Sequence, residues 1–174
     1  FLVNYARALR PYNIVFDFIV QTNKPQRFDE EMKRLGSKIY VVPAMTASVY
    51  GFAKGVYKIC KEHPEYQIVH AHLNYRNFLP LCAAKAAGVA IRISHSHNAY
   101  EAENTRKKIA RDIFQRSLSL FATDCWGCSE KACQWLYGDS FKNKWAVIHN
   151  AIDLQKYRFQ QSRRMKMRQQ LHLS

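Results

Sequence analysis

The sequence predicts an α/β fold, a Rossmann-like, doubly wound and mostly parallel sheet, and three observations carry that reading. Short β-rich runs alternate with segments of helical period along all 174 residues. Gly36, Pro64 and Gly88 stand where helical segments should stop. Two of the β-rich runs, "YQIVHAHLNY" and "IRISHSHNAY", both end in His-x-His followed by an asparagine. Strands that alternate with helices build βαβ units, and right-handed crossovers place helices on both faces of the sheet.

The elements follow in order. "FLVNYARAL" is helical, with Leu2, Tyr5, Ala6 and Leu9 on one face. Residues 13–21 are β-rich, and 28–36 form a short helix with Gly36 just past its end. "KIYVVP" (38–43) is a strand closed by Pro43; residues 47–63 are a helix stopped at Pro64. Residues 66–73 are a strand, 77–89 a helix of small residues, and 90–97 a strand. The longest helix spans 101–122, with an apolar stripe of Ile109, Ile113, Phe114 and Leu118 expected to pack on the sheet and its basic residues to face out. "DCWGCS" is a strand, Ser129 caps the helix "EKACQWLYG", and "KWAVIHNA" (144–151) is the final strand. The chain opens within a helix and holds no GxGxxG, so the first strand and its phosphate-binding turn are expected ahead of Phe1.

Composition narrows the function. Hydrophobic residues make up 48%, which suits a globular domain. No apolar run approaches the ~20 residues of a membrane span, and the start carries no signal-peptide pattern, so a cytoplasmic location is expected. Lys and Arg number 27 against 13 acidic residues, a net charge of +14 that favours anionic partners. The clusters at 105–116 and 160–170 lack the aromatic interleaving of a single-strand platform, and no zinc-finger or RNP pattern occurs, which argues against specific nucleic-acid binding. The five cysteines are an odd number and are expected to be reduced thiols. "CWGC" is spaced like a redox pair. Such a pair needs both sulfurs at a helix N-terminus, whereas here alternation along a strand sends Cys125 and Cys128 to opposite faces.

The repeated His-x-His carries the chemistry. Every strand of a parallel sheet delivers its C-terminal end to one edge, and ligands bind in the crevice outside it. His70 and His72 end one strand; His95 and His97 end the next. Alternation points both rings of a pair to one side, so imidazoles gather at one rim with Asn74 and Asn98. They can donate to anionic oxygens or exchange protons near pH 7. His70 is expected to satisfy buried backbone instead. A four-histidine metal site is the competing reading, set aside because no carboxylate lies in these turns to orient the rings. No metal or cofactor is therefore expected.

"IVHAHLN", "IRISHSHN", "CWGCSEKACQWLYG" and "VIHNAIDLQKYRF", in that order and spacing, resemble the N-terminal domain of glycosyltransferase family 4, the retaining GT-B enzymes, above all bacterial ones that build capsular or exopolysaccharide. The resemblance covers nearly the whole chain. Ala151 stands where the family's Asn-Gly-[Ile/Val]-Asp run has glycine. It implies an acceptor-side Rossmann-like domain over 1–152, with 153–174 a linker and the start of a donor-binding domain. It further implies transfer of a sugar from a nucleotide-sugar to a sugar or lipid-linked acceptor, with retention and without an obligatory metal. His95, with His97 the alternative, would be the catalytic histidine; His72, Asn74 and Asn98 would line the acceptor side. The family's donor-binding glutamates lie in the second domain, so this chain alone is expected to be inactive. An anionic membrane surface is a further expected partner, which would place the protein on the inner face of the plasma membrane. Two other readings remain: half of a GT-B-like sugar epimerase, and a basic module for nucleic acid or membrane surfaces.

Overall fold

A computed structural model describes residues 2–99, 105–138, 141 and 144–173. Its elements in chain order are α1 (Leu2–Leu9), β1 (Phe18–Val20), α2 (Asp29–Arg34), β2 (Ile39–Val41), α3 (Val49–Glu62), β3 (Ile68–Ala71), α4 (Phe78–Ala87) and β4 (Ile91–Ser96). Then come α5 (Thr105–Phe121), β5 (Asp124–Gly127), α6 (Glu130–Tyr137), β6 (Trp145–Val147), α7 (Leu154–Tyr157) and α8 (Gln161–Gln170). Short 3₁₀ turns cover Arg10–Tyr12 and Asn74–Asn77.

The alternating α/β architecture is as the sequence predicts, and every strand pairing is parallel. The strands are shorter than the β-rich runs, because a ladder exists only where a neighbour supplies partners. The sheet is also divided. β3-β4-β5-β6 form one four-stranded sheet, and β1-β2 form a separate pair. Side chains bridge the division. Ile19 of β1 and Val69 of β3 both pack on the cluster of Val42, Phe52, Val56, Cys60, Ala83, Ala84 and Val89. Phe52, Val56 and Cys60 recur every four residues on α3, so one stripe of that helix meets the small residues of α4.

A second core lies around Leu81, Leu118, Cys125, Cys133, Leu136, Tyr137 and Phe141. Tyr137 is fully buried, with its hydroxyl 2.7 Å from the Ser94 carbonyl and 2.9 Å from that of Trp126. One phenol thus ties α6 to both β4 and β5. Ser48 and Ser129 cap α3 and α6, their hydroxyls accepting from the amides of Gly51 and Ala132.

The expected apolar stripe of α5 is split. Leu118 is buried, and Phe114 stacks on Phe78 with ring centroids 4.5 Å apart. Ile109 and Ile113 are instead more than half exposed, as is Leu120. The reason is helical geometry: Phe114, Leu118 and Phe121 follow one i, i+4, i+7 row, whereas Ile109, Ile113, Arg116 and Leu120 follow another, and the first row packs inward, against Tyr75, Phe78 and the core around Leu81. The expected helix start at 101–104 lies outside the described residues.

Candidate functional site

The site begins with two strand ends. In the β3–β4 register His70 lies opposite Ile93 and Ala71 opposite Ser94. His72 and His97 are each the first residue beyond their strand. Because side chains alternate, His70, His72, His95 and His97 all emerge on one face and their rings pile together. Ring centroids are 4.1 Å apart between His70 and His72, and 4.3 Å apart between His95 and His97. Across the strands, His70 Nε2 lies 3.0 Å from His95 Nδ1, and His72 Nδ1 lies 2.8 Å from His97 Nε2. In each bond one ring donates and the other accepts, so the tautomer of one member sets that of its partner. Trp126, opposite His95 on β5, meets His70 edge-on and closes the cluster from the side.

Depth separates the four rings. His95 is completely buried, and His70, His72 and His97 are half-buried. Burial disfavours the imidazolium, lowering His70 to about 4, His95 to about 3 and His72 to about 2, and His97 in the same direction. The neighbouring rings add to the shifts of the first three, because a second positive charge among them would be repelled. Neutral imidazoles at pH 7 follow. They offer one N–H donor and one lone pair each, suited to hydrogen bonding of hydroxyls and to metal ligation. His70, His72 and His95 each present a ring nitrogen within 4.8 Å of the others.

The turn after β3 completes the rim. Asn74 adopts a left-handed backbone with φ of 55°, and its Oδ1 accepts from the His97 amide at 3.5 Å. Asn98 is exposed on the same edge. Thus His72, Asn74, His95, His97 and Asn98 are brought together as the sequence predicts, with His95 beneath the rim rather than on it. His70, expected to bind backbone, bonds the His95 ring. Cys128 supports the rim from below, its thiol donating to the His97 carbonyl at 3.3 Å.

Sequence reasoning missed two contributions. Asn77 is fully buried; its amide donates to Ser94 Oγ at 2.9 Å, and its carbonyl oxygen accepts from the Leu73 amide. It therefore holds the β3 turn against β4. A cleft of about 290 Å³ lies beside Asn74, lined by Gln21, Met45, Thr46, Leu73, Tyr75 and Arg76. Gln21 follows β1 directly, at the same C-terminal edge, and that topological position was the available signal.

Comparison with known proteins agrees with this architecture. The sequence profile described as Glycosyltransferase Family 4 matches residues 1–156. The protein EpsF of Bacillus subtilis (strain 168), assigned as a glycosyltransferase, is 31% identical over 159 residues, covering 88% of this chain and 41% of EpsF. The crystal structure of Anabaena Alr3699/HepE, solved with UDP and glucose, superposes with a TM-score of 0.70 at 17% identity. That superposition covers 98% of this chain and 46% of HepE, and shows the shared fold. The chain thus spans less than half the length of either relative. On the extent of the profile match and the likeness to EpsF, the chain belongs to glycosyltransferase family 4.

Proposed function

We propose that this chain is the acceptor-side domain of a retaining glycosyltransferase that moves a sugar from a nucleotide-sugar to a polysaccharide or lipid-linked acceptor. The observation that carries the reading is the histidine–asparagine rim at the C-terminal ends of β3 and β4, next to the cleft beside Asn74. The acceptor hydroxyl attacks the anomeric carbon as the bond to the leaving phosphate breaks, and the nucleoside diphosphate departs with the hydroxyl proton. Charge on the sugar ring peaks midway, in an oxocarbenium-like transition state. Neutral rings at the rim hydrogen-bond the sugar hydroxyls without adding a positive charge beside that cation. His97 and His72 make these contacts; His95, wholly buried, orients them through the cluster. Asn74 and Asn98 bind the acceptor, with Gln21 and Arg76 in the cleft. HepE was solved with UDP and glucose, which supports a nucleotide-sugar as donor. The donor is held mainly by the second domain that the family's enzymes carry, for which residues 153–174 are the linker and the start.

The test is turnover by the whole protein with a panel of nucleotide-sugars. His97→Ala should lower kcat by ~10²-fold, as loss of a preorganised donor does. His95→Ala should lower kcat and also broaden the pH profile, because the buried cluster reorganises. Wild-type kcat in His97→Ala would remove the rim from the mechanism.

A further inference from the structure

The histidine cluster is built more deeply than a rim of sugar-binding imidazoles requires. His70, His72 and His95 converge so that one nitrogen of each lies within 4.8 Å of the other two. Four-coordinate zinc with Zn–N bonds of 2.0–2.1 Å places its nitrogens about 3.3 Å apart. His70 Nε2 and His95 Nδ1 stand at 3.0 Å, close to that spacing. The third nitrogen needs a ring shift of up to about 1.5 Å, within the reach of χ rotations. We infer that His70, His72 and His95 form a binding site for a borderline divalent metal of the zinc class, with water in the fourth position. This goes beyond the transferase reading and does not depend on it; a bound ion would take the His72 nitrogen that a sugar hydroxyl otherwise meets, so metal and sugar compete there.

Ligand chemistry selects the ion. Three imidazoles without a carboxylate suit zinc, cobalt, nickel or copper and not the oxygen-seeking magnesium or calcium. The anchors are well placed. His70 and His95 come from adjacent hydrogen-bonded strands, and Trp126 packs against the His70 edge. His97 supplies the outer partner that a carboxylate usually gives. If its Nε2 accepts from His72 Nδ1–H across their 2.8 Å bond, the tautomer is fixed and His72 Nε2 is the ligating atom. The bookkeeping of protons is simple. The hydrogen shared by His70 Nε2 and His95 Nδ1 moves to the far nitrogen of the ring that carried it, and both facing lone pairs then meet the metal. Each ring stays neutral and no proton need leave the site. The high positive charge of the chain, +14, opposes any cation, so the site relies on ligand geometry rather than on the surrounding field.

The experiment is a titration of the tag-free protein with Co²⁺, read by visible absorption, followed by displacement with Zn²⁺. One equivalent should give the intense ligand-field bands of a four-coordinate site, and Zn²⁺ should abolish them. His72→Gln and His70→Gln should each lose the bands while circular dichroism keeps the native spectrum. Should His70→Gln fail to fold, His72→Gln, at the half-buried rim, decides. His97→Gln should weaken binding about 10-fold or more with the band shape preserved, as loss of an outer partner does. The double variant His149→Gln/His172→Gln, at exposed positions, should bind like wild type. No bands at saturating Co²⁺, bands that survive in folded His72→Gln, or bands lost in the double variant would each overturn the assignment. Transferase activity is not part of the readout, so failure here leaves the proposed function standing, and the converse holds.

Discussion

Cys125 and Cys133 lie in the core on β5 and α6, where burial pushes their thiols up to about 12 and about 11, and burial raises Cys60 as well. The thiolate is the reactive form, so at pH 8 a group of pKa 12 presents it in roughly one molecule in 10⁴. Cys82 and Cys128 are only half-buried. Iodoacetamide at pH 8 should therefore label Cys82 and Cys128 of the native chain first, and all five only in denaturant, as peptide mass mapping would read. Rapid native labelling of Cys125 would mean that the β5–α6 core opens readily. The spacing Cys-x-x-Cys was legible as a strand rather than a redox pair because Ser129 marked where the helix starts, and Ser129 does cap α6. The depth of His95 was not legible. Periodicity tells which face a side chain takes, but whether that face is rim or interior depends on the neighbours, here Trp126 on one side and His70 on the other.

Along β5, Gly127 lies tightly against Cys133 of α6. A Cβ built there would stand 2.4 Å from Cys133 Sγ and 3.0 Å from the Cys133 amide nitrogen. Both atoms belong to the first turn of a buried helix, so neither can swing away cheaply. Gly127→Ala should cost about 1–3 kcal/mol through overpacking, a fall of several degrees in Tm for a chain of this size. Adding Cys133→Ala should recover part of the loss, since the nearest clash is with the sulfur and the two sites are coupled. Additive melting shifts in that cycle would show that the backbone contact alone sets the cost. Element order, type and the parallel sense were legible because the helical and β-type periods alternate cleanly, with Gly36 and Gly88 in left-handed conformations just past α2 and α4. The division between β1-β2 and the four-stranded sheet was not. Both groups have the same apolar β-rich pattern, and sequence pattern does not reveal which strand finds a hydrogen-bonding neighbour. The same limit applies to α5, where two apolar rows compete and only packing chose the row of Phe114 and Leu118.

At the scale of the molecule, catalysis by a two-walled cleft needs both walls, because only interactions gained in the transition state accelerate transfer. The 174-residue chain alone should therefore show no transfer from any nucleotide-sugar by product mass spectrometry, and robust turnover would place the donor site within these residues. The exposed side chains of α5 and α8 have their own consequence. Ile109, Ile113 and Leu120 project from α5 beside the exposed Arg116, and α8 carries Arg163, Arg164, Lys166 and Arg168 with no buried residue. No described helix is long and apolar enough to cross a membrane. Exposed basic residues with a few outward apolar side chains suit docking in the headgroup region of an anionic bilayer, each basic residue near the surface contributing ~1 kcal/mol. The whole protein should sediment with anionic vesicles at low salt and largely release at high salt, since the Debye length falls from about 10 Å at 0.1 M to about 3 Å at 1 M. Ile109→Ser/Ile113→Ser should weaken the low-salt binding and remove any salt-resistant remainder, because those side chains supply the apolar part. Equal binding to neutral and anionic vesicles would exclude the electrostatic mechanism. Binding to neither would make the outward row of α5 a contact for another part of the protein, and its exposure to iodoacetamide in an Ile113→Cys variant should then fall in the whole protein relative to the 174-residue chain.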